Sequence, residues 1–100
     1  MSVVADPEGI DAETILEFYD FTDQRVLEIG CGRGRLTMAI AKTSQHVTAI
    51  DPLEDDVQTA VKNTPAELKK KIDFIPSGIE EFDLPAGSPN FDIALFTWSL

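Results

Sequence analysis

Short apolar runs alternate with stretches of helical spacing along the chain. "RVLEI" at 25–29 is a compact leucine and β-branched run, suited to a strand buried on both faces. Leu36, Ala39, Ile40 and Thr43 then recur at helical spacing and predict a helix from Arg35 to Lys42. "HVTAI" is a second short strand, ending at Asp51. Val57, Ala60, Val61 and Thr64 repeat the helical period. Glu54, Asp55 and Asp56 fall in that helix's first turn, where the helix dipole favours negative charge. A shorter helix is predicted next from its start signals: Thr64 as N-cap, Pro65 at the first helical position and Glu67 completing a capping box. "IDFI" reads as a third strand, "PSGIEEFDLPAGSPN" as mostly loop and "FDIALFTWSL" as a fourth strand. Upstream, Asp11 can cap a helix through about Asp20, with Ile15, Leu16, Phe18 and Tyr19 as its apolar side. Residues 1–10 read as a loose tail, which leaves one domain over 11–100.

Strand and helix in alternation imply an α/β fold with a doubly wound parallel sheet and right-handed crossovers. In such a sheet ligands bind at the carboxyl ends of the strands, near the switch point beside the first strand. The most unusual stretch of the sequence stands at that point. "VLEIGCGRGRLT" carries Gly30, Gly32 and Gly34 at alternate positions between the first strand and its helix. Glycine accepts positive φ and has no Cβ, so such a turn bends sharply and lets a ligand approach the main chain. The helix that follows aims free N–H groups at the same place, which suits an anionic group.

Two ligand classes compete for this turn. A dinucleotide fingerprint reads G-x-G-x-x-G. Gly30 and Gly32 match it, but Arg35 occupies the third position; the pattern present is E-x-G-x-G-x-G from Glu28 to Gly34. The second strand ends in Asp51, about 20 residues beyond the first glycine, where an acid can accept hydrogen bonds from both hydroxyls of an adenosine ribose. That acid serves either class.

Composition narrows the partners. The 100 residues suffice for one small domain, and the 43% apolar share allows a packed core. A formal net charge of −10 repels phosphate backbones, so no nucleic acid partner is expected. The lysine run Lys69, Lys70, Lys71 reads as a solvated helix end. Cys31 is the only cysteine, which excludes an internal disulfide and fits a reducing compartment. No apolar stretch approaches the ~20 residues of a membrane span, and the start of the chain lacks a signal-peptide pattern. The expectation is a soluble, cytoplasmic protein. One histidine, His46, expected at the surface before the second strand, and one cysteine make no metal-ligand cluster.

"VLEIGCGRGRLT" together with "VTAID" resembles the first two motifs of class I S-adenosylmethionine-dependent methyltransferases. "FIPSGIEEFDLP" and "FDIALFTWSL" resemble that family's third and fourth strand regions, in the same order, so the resemblance covers about residues 12–100. It implies a Rossmann-like sheet of strand order 3-2-1-4, lacking the later strands of the full fold. The cofactor implied is S-adenosyl-L-methionine. By the resemblance, Gly30, Cys31, Gly32 and Gly34 line its methionine half, with Cys31 a small filler and not a nucleophile. Glu28 faces its ammonium end, directly or through water. Asp51 holds the ribose hydroxyls, and Pro52 and Leu53 offer an apolar face to the adenine. Many relatives place an Asp after the third strand, against the adenine amino group; here Ser77 and Gly78 stand there, so Gly78, the Ile79 backbone and Glu80 are the candidates for that contact. Phe96 and Thr97, at the end of the fourth strand, complete the cofactor-binding set, at the strand end from which the family also builds its acceptor site.

The stretch "FTWSL" lacks the Asn/Asp-Pro-Pro-aromatic signature that relatives use on exocyclic amines of nucleic-acid bases. With the acidic charge, this favours a small-molecule acceptor. The reading is therefore methyl transfer to a small molecule. An NAD- or nucleotide-binding oxidoreductase domain and a non-catalytic cofactor-binding module are the alternatives. The resemblance also implies that the last strand pairs on one side only, with an open edge through which the chain self-associates.

Overall fold

The computed structural model describes residues 15–17, 19–83 and 90–97, and the backbone of residues 2–6. Five strands form one parallel sheet: β1 (Ser2–Asp6), β2 (Arg25–Ile29), β3 (His46–Asp51), β4 (Ile72–Pro76) and β5 (Ile93–Thr97), in the order β1-β5-β2-β3-β4. Helix α1 (Arg35–Ala41) connects β2 to β3, and α2 (Glu54–Asn63) leads from β3 towards β4. Read along β4-β3-β2-β5, the sheet has the expected 3-2-1-4 order. Among the described residues, no helix is long and apolar enough to cross a membrane.

The fifth strand is a correction. Residues 2–6 are not a loose tail: β1 pairs in parallel with β5, Ser2 opposite Ile93 through Asp6 opposite Thr97. The last strand is therefore hydrogen-bonded on both sides, by β2 and β1, and the open edge expected there is covered. That expectation came from treating the start of the chain in isolation. "SVVAD" offers only Val3, Val4 and Ala5 as an apolar run, and acquires a partner only once β5 is in place.

Period-two alternation sorts the strand side chains onto two faces. One face carries Val26, Val47, Ala49, Ile72, Ile93 and Leu95, packed against Ile40 and Ala41 of α1 and against Ile15 and Phe21. The other carries Leu27 and Ile50 with Phe91, bordered by Ile29, Ile75 and Phe82. Burial on both faces explains why the strands read as continuous apolar runs.

Local expectations fared unevenly. Residues 15–17 are helical, and Tyr19 donates its amide to the carbonyl of Ile15. Residues 11–14 and Phe18 lie outside the described residues. Of the described residues of that apolar side, Ile15 is buried and Leu16 and Tyr19 are exposed, while Phe21, beyond the helical spacing, is buried. The capping box does not form. Thr64 turns back and donates its hydroxyl to the Ala60 carbonyl at 2.7 Å, closing the end of α2, and Ala66–Leu68 is a single 3-10 turn without a side-chain cap. Pro65 precedes that turn instead of opening it. His46 is half-buried at the start of β3, 3.3 Å from Asp73, rather than on the surface. Ile93–Thr97 is shorter than the fourth strand expected from 91–100, of which 98–100 lie outside the described residues.

Candidate functional site

The turn between β2 and α1 brings together the carboxyl ends of three strands. All three glycines have positive φ: 89° at Gly30, 56° at Gly32 and 84° at Gly34. The turn is laced to β3 by its amides. Gly30 and Cys31 both donate to the carbonyl of Ile50, at 2.8 and 3.0 Å, and Gly34 donates to the carbonyl of Cys31 at 3.0 Å. α1 has no side-chain N-cap; Gly34 occupies that position in a left-handed conformation.

Gly34 is required for packing. A Cβ built there would stand 2.9 Å from the Ala60 Cβ and 3.0 Å from the Phe74 ring, so its missing side chain lets α1 and α2 approach. Beside the place in the ligand wall expected of it, Gly34 has this packing duty.

Alternation places Glu28, Asp51 and Thr97 on the α1 side of the sheet, at the ends of β2, β3 and β5. Asp51 is buried and uses both carboxylate oxygens. Oδ2 accepts the Gly32 amide at 3.0 Å, and Oδ1 accepts the Leu53 amide at 2.8 Å. Each oxygen retains a further lone pair. Pro52 and Leu53 beside it are exposed, Leu53 to 60%. The Ser77 amide donates to the Asp51 carbonyl at 2.9 Å, which brings Gly78 and exposed Ile79 and Glu80 alongside the same strand end. Glu81 donates its amide to the Gly78 carbonyl at 3.3 Å, turning this segment back on itself.

The Glu28 side chain is 1% exposed and lies between α1 and β5. The Thr37 hydroxyl reaches Oε1, and the Thr97 hydroxyl lies 2.9 Å from Oε2. Burial pushes the Glu28 carboxyl above its ordinary value, the two threonine contacts oppose this, and the charge of Asp51 adds to the rise. Cys31 is buried within the turn; burial, Glu28 and Asp51 all raise its thiol, so it stays protonated and is no nucleophile. Arg33, at the exposed tip, stands 3.6 Å from Asp56 in the first turn of α2.

Sequence reasoning missed Thr37. A threonine in the first turn of a helix, nine residues past a strand-end acid, has no signal of its own; only the fold brings the two together. Phe96 lies opposite Ile29 in the sheet register, beside the turn. Two surface clefts, of about 460 and 400 Å³, lie elsewhere: one between Leu16, Tyr19 and the end of α1, the other along β4 beside Val61 and Lys69.

A glycine turn at the switch point, with an acid on the neighbouring strand braced against it, defines a cofactor-binding α/β domain. A family model described as a methyltransferase domain matches residues 26–100. The chain belongs to that family, and its fold is that of the class I S-adenosylmethionine-dependent methyltransferases. It is 36% identical over 64 residues to a ubiquinone biosynthesis O-methyltransferase of Rickettsia conorii, a match that covers 64% of this chain and 22% of that protein. It is 38% identical over 80 residues to a ribosomal protein arginine N-methyltransferase of Schizosaccharomyces pombe, covering 78% of this chain and 14% of that protein. Among solved structures, the plantazolicin methyltransferase BpumL, in complex with SAH, matches with a TM-score of 0.59 and 28% identity, covering 85% of this chain and 31% of that one. The chain spans less than a third of the length of the curated relatives it matches.

Proposed function

We propose that the chain binds S-adenosyl-L-methionine across the ends of β2 and β3 and serves methyl transfer to a small-molecule acceptor. The observation that carries this reading is the carboxylate of Asp51, buried at the end of β3 and hydrogen-bonded to the turn amide of Gly32. An acid so held has its remaining lone pairs pre-oriented for a pair of vicinal hydroxyls, without further loss of side-chain freedom.

The residues present suit the cofactor. The main chain of Gly30, Cys31 and Gly32 forms one wall without large side chains, and the exposed Pro52 and Leu53 offer an apolar face for the adenine. Gly78, the Ile79 backbone and Glu80 stand where its amino edge would be read. Phe96 and Thr97 close the side nearest β5, towards the acceptor. Carboxylates in and around the turn favour a cationic ligand over a dinucleotide's pyrophosphate. When bound, the cofactor supplies a sulfonium methyl, an activated group that needs little further chemistry. The protein's contribution is alignment and exclusion of water.

A small acceptor is supported by the net charge of −10 and by the name of the ubiquinone biosynthesis relative. The arginine methyltransferase relative keeps a protein acceptor in the test. Isothermal calorimetry with S-adenosylmethionine, S-adenosylhomocysteine and NAD is the first experiment. Binding of the first two and not of NAD is expected; the reverse order would overturn the reading. Single-turnover transfer from labelled cofactor to small phenols, carboxylic acids and an arginine-rich peptide then separates the acceptor classes.

A further inference from the structure

β4 stands at one end of the sheet order, and among the described residues it pairs with β3 alone. The ladder fixes which of its groups face outward. Val47 donates its amide to the Lys71 carbonyl, and Ser77 donates its own to the Asp51 carbonyl. Alternate residues therefore bond to β3 from Lys71 to Ser77, and Ile72, Phe74 and Pro76 turn their main-chain groups away from it. Pro76 has no amide hydrogen, which leaves two outward donors on the strand, at Ile72 and Phe74.

This edge carries the only run of three basic residues in a chain of net charge −10. Lys69 and Lys70 are exposed and Lys71 is half-buried, and among the described residues none of the three stands in an ion pair. Asp73 is exposed two positions further on. Its Oδ2 lies 3.3 Å from His46 Nε2, which leaves Oδ1 for another partner. By alternation Lys71 and Asp73 share one face of the edge. On the other face, exposed Val61 and half-buried Phe74 border the cleft of about 400 Å³.

A second copy can add to this edge antiparallel, about a two-fold axis, and the residues decide where that axis stands. Centred on Phe74 or Ile75, the new ladder calls on the amide that Pro76 lacks. Centred on Asp73 or Lys71, it sets like charges directly opposite, which destabilises the pairing. Centred on Ile72, it meets neither obstacle. Ile72 exchanges both main-chain bonds with its own copy, and Pro76 falls outside the paired segment. Lys71 of each chain then stands opposite Asp73 of the other, in a closely spaced pair. Phe74 comes opposite Lys70 of the second copy, whose aliphatic stem covers the cleft beside Val61. Lysines and acids ordinarily guard an edge against pairing. Here they are complementary to themselves, and an acidic chain meets its own copy at the place where it is basic.

We propose that the outer edge of β4 is a self-association surface, through which two copies of the chain pair antiparallel about Ile72 with Lys71 of each against Asp73 of the other. The inference stands apart from the cofactor reading.

Light scattering of the full chain over a dilution series should show the mass rising from one chain towards two. Lys71→Glu and Asp73→Lys each turn both cross-strand pairs into like charges, and each should raise the dissociation constant about tenfold or more. Mixed in equal amounts, the two variants face opposite charges again at both pairs, so the mixture should dimerise as the parent does. Amide exchange followed by NMR reads the register: the Ile72 and Phe74 amides should gain protection as the parent's concentration rises.

A mass of one chain at every concentration overturns the proposal, a result that needs no variant to fold. So does association that protects the amides of Ser2–Asp6 in place of Ile72, and so does a mixture of the two folded variants that stays monomeric. A parent that stays monomeric and binds polyglutamate overturns it in favour of an acidic segment from another protein.

Discussion

Asp51 Oδ2 accepts the backbone amide of Gly32 at 3.0 Å, tying the end of β3 to the middle of the glycine turn on β2. The same carboxylate accepts the Leu53 amide through Oδ1, at the entrance to α2. One side chain thus holds the turn and orients the connection on which the adenine face would lie. Both bonds go to a charged acceptor, worth about 1.5–3 kcal/mol each when intact.

Replacing Asp51 should therefore affect stability and binding together. Asp51→Ala removes both acceptors and leaves the buried Gly32 amide unpaired, at a cost of about 2–4 kcal/mol. Affinity for S-adenosylmethionine should fall about tenfold or more, beyond any unfolded fraction. Asp51→Asn keeps one oxygen for the turn and should recover most of the stability but little of the affinity. Denaturant melts beside calorimetry measure the two effects separately; unchanged affinity in a folded Asp51→Ala would remove Asp51 from the ligand site.

Gly34 should tolerate no side chain, on packing and backbone grounds alone. Its φ of 84° strains any L-residue, and an added Cβ meets Ala60 at 2.9 Å and Phe74 at 3.0 Å. Gly34→Ala is expected to destabilise by about 2–4 kcal/mol, from backbone strain and overpacking. Adding Phe74→Leu should return part of that by relieving the contact, and none of the strain. A double-mutant cycle by urea melts checks the coupling; strict additivity would mean the two residues do not touch.

The end of α2 offers a sharp contrast between two neighbours. Thr64→Ala removes a buried hydroxyl's bond to the Ala60 carbonyl and should cost about 1 kcal/mol. Glu67→Ala should change stability by less than about 0.5 kcal/mol, since no capping box forms. A large effect at Glu67 would show that the box exists in solution.

β1 should matter to the behaviour of the chain more than its short apolar run suggests. Deleting residues 1–6 strips the outer ladder from β5, a loss of about 3 kcal/mol or more at roughly 1 kcal/mol per net backbone hydrogen bond. It also bares a parallel edge rich in apolar residues. The shortened chain should melt earlier and associate at concentrations where the full chain does not. Light scattering across a dilution series reads this directly, and equal sizes for the two chains would argue against β1 as a cover.

Much of the fold was legible because its signals are local. A strand buried on both faces needs an unbroken apolar run, and "RVLEI", "HVTAI" and "IDFI" are that. Alternating glycines need no context to announce a turn of unusual backbone, and all three do have positive φ. Asp51 does stand at the end of a strand, as its place in the sequence implied. What failed were features for which the sequence offers competing outcomes of similar merit. Thr64 satisfied the sequence rule for an N-cap, yet its hydroxyl found a nearer acceptor behind it, at Ala60. Leu16 and Tyr19 matched helical spacing, yet Phe21 fills the core because the sheet face lies where the chain leaves that helical turn.

By itself, then, the sequence determined the strand runs, the turn and the chemical types at the strand ends, because backbone preference and burial act over a few residues. Only the tertiary structure decided what those residues do to one another. Ser2–Asp6 became a strand because β5 presented an edge. Gly34 became a packing residue because α2 folds back over the turn. Glu28 lost its access to water because Thr37 and Thr97 close over it from α1 and β5, elements that lie nine and 69 positions away in the chain. Hydrogen bonds and desolvation depend on distances in space, and those exist only after the sheet has brought its strands together.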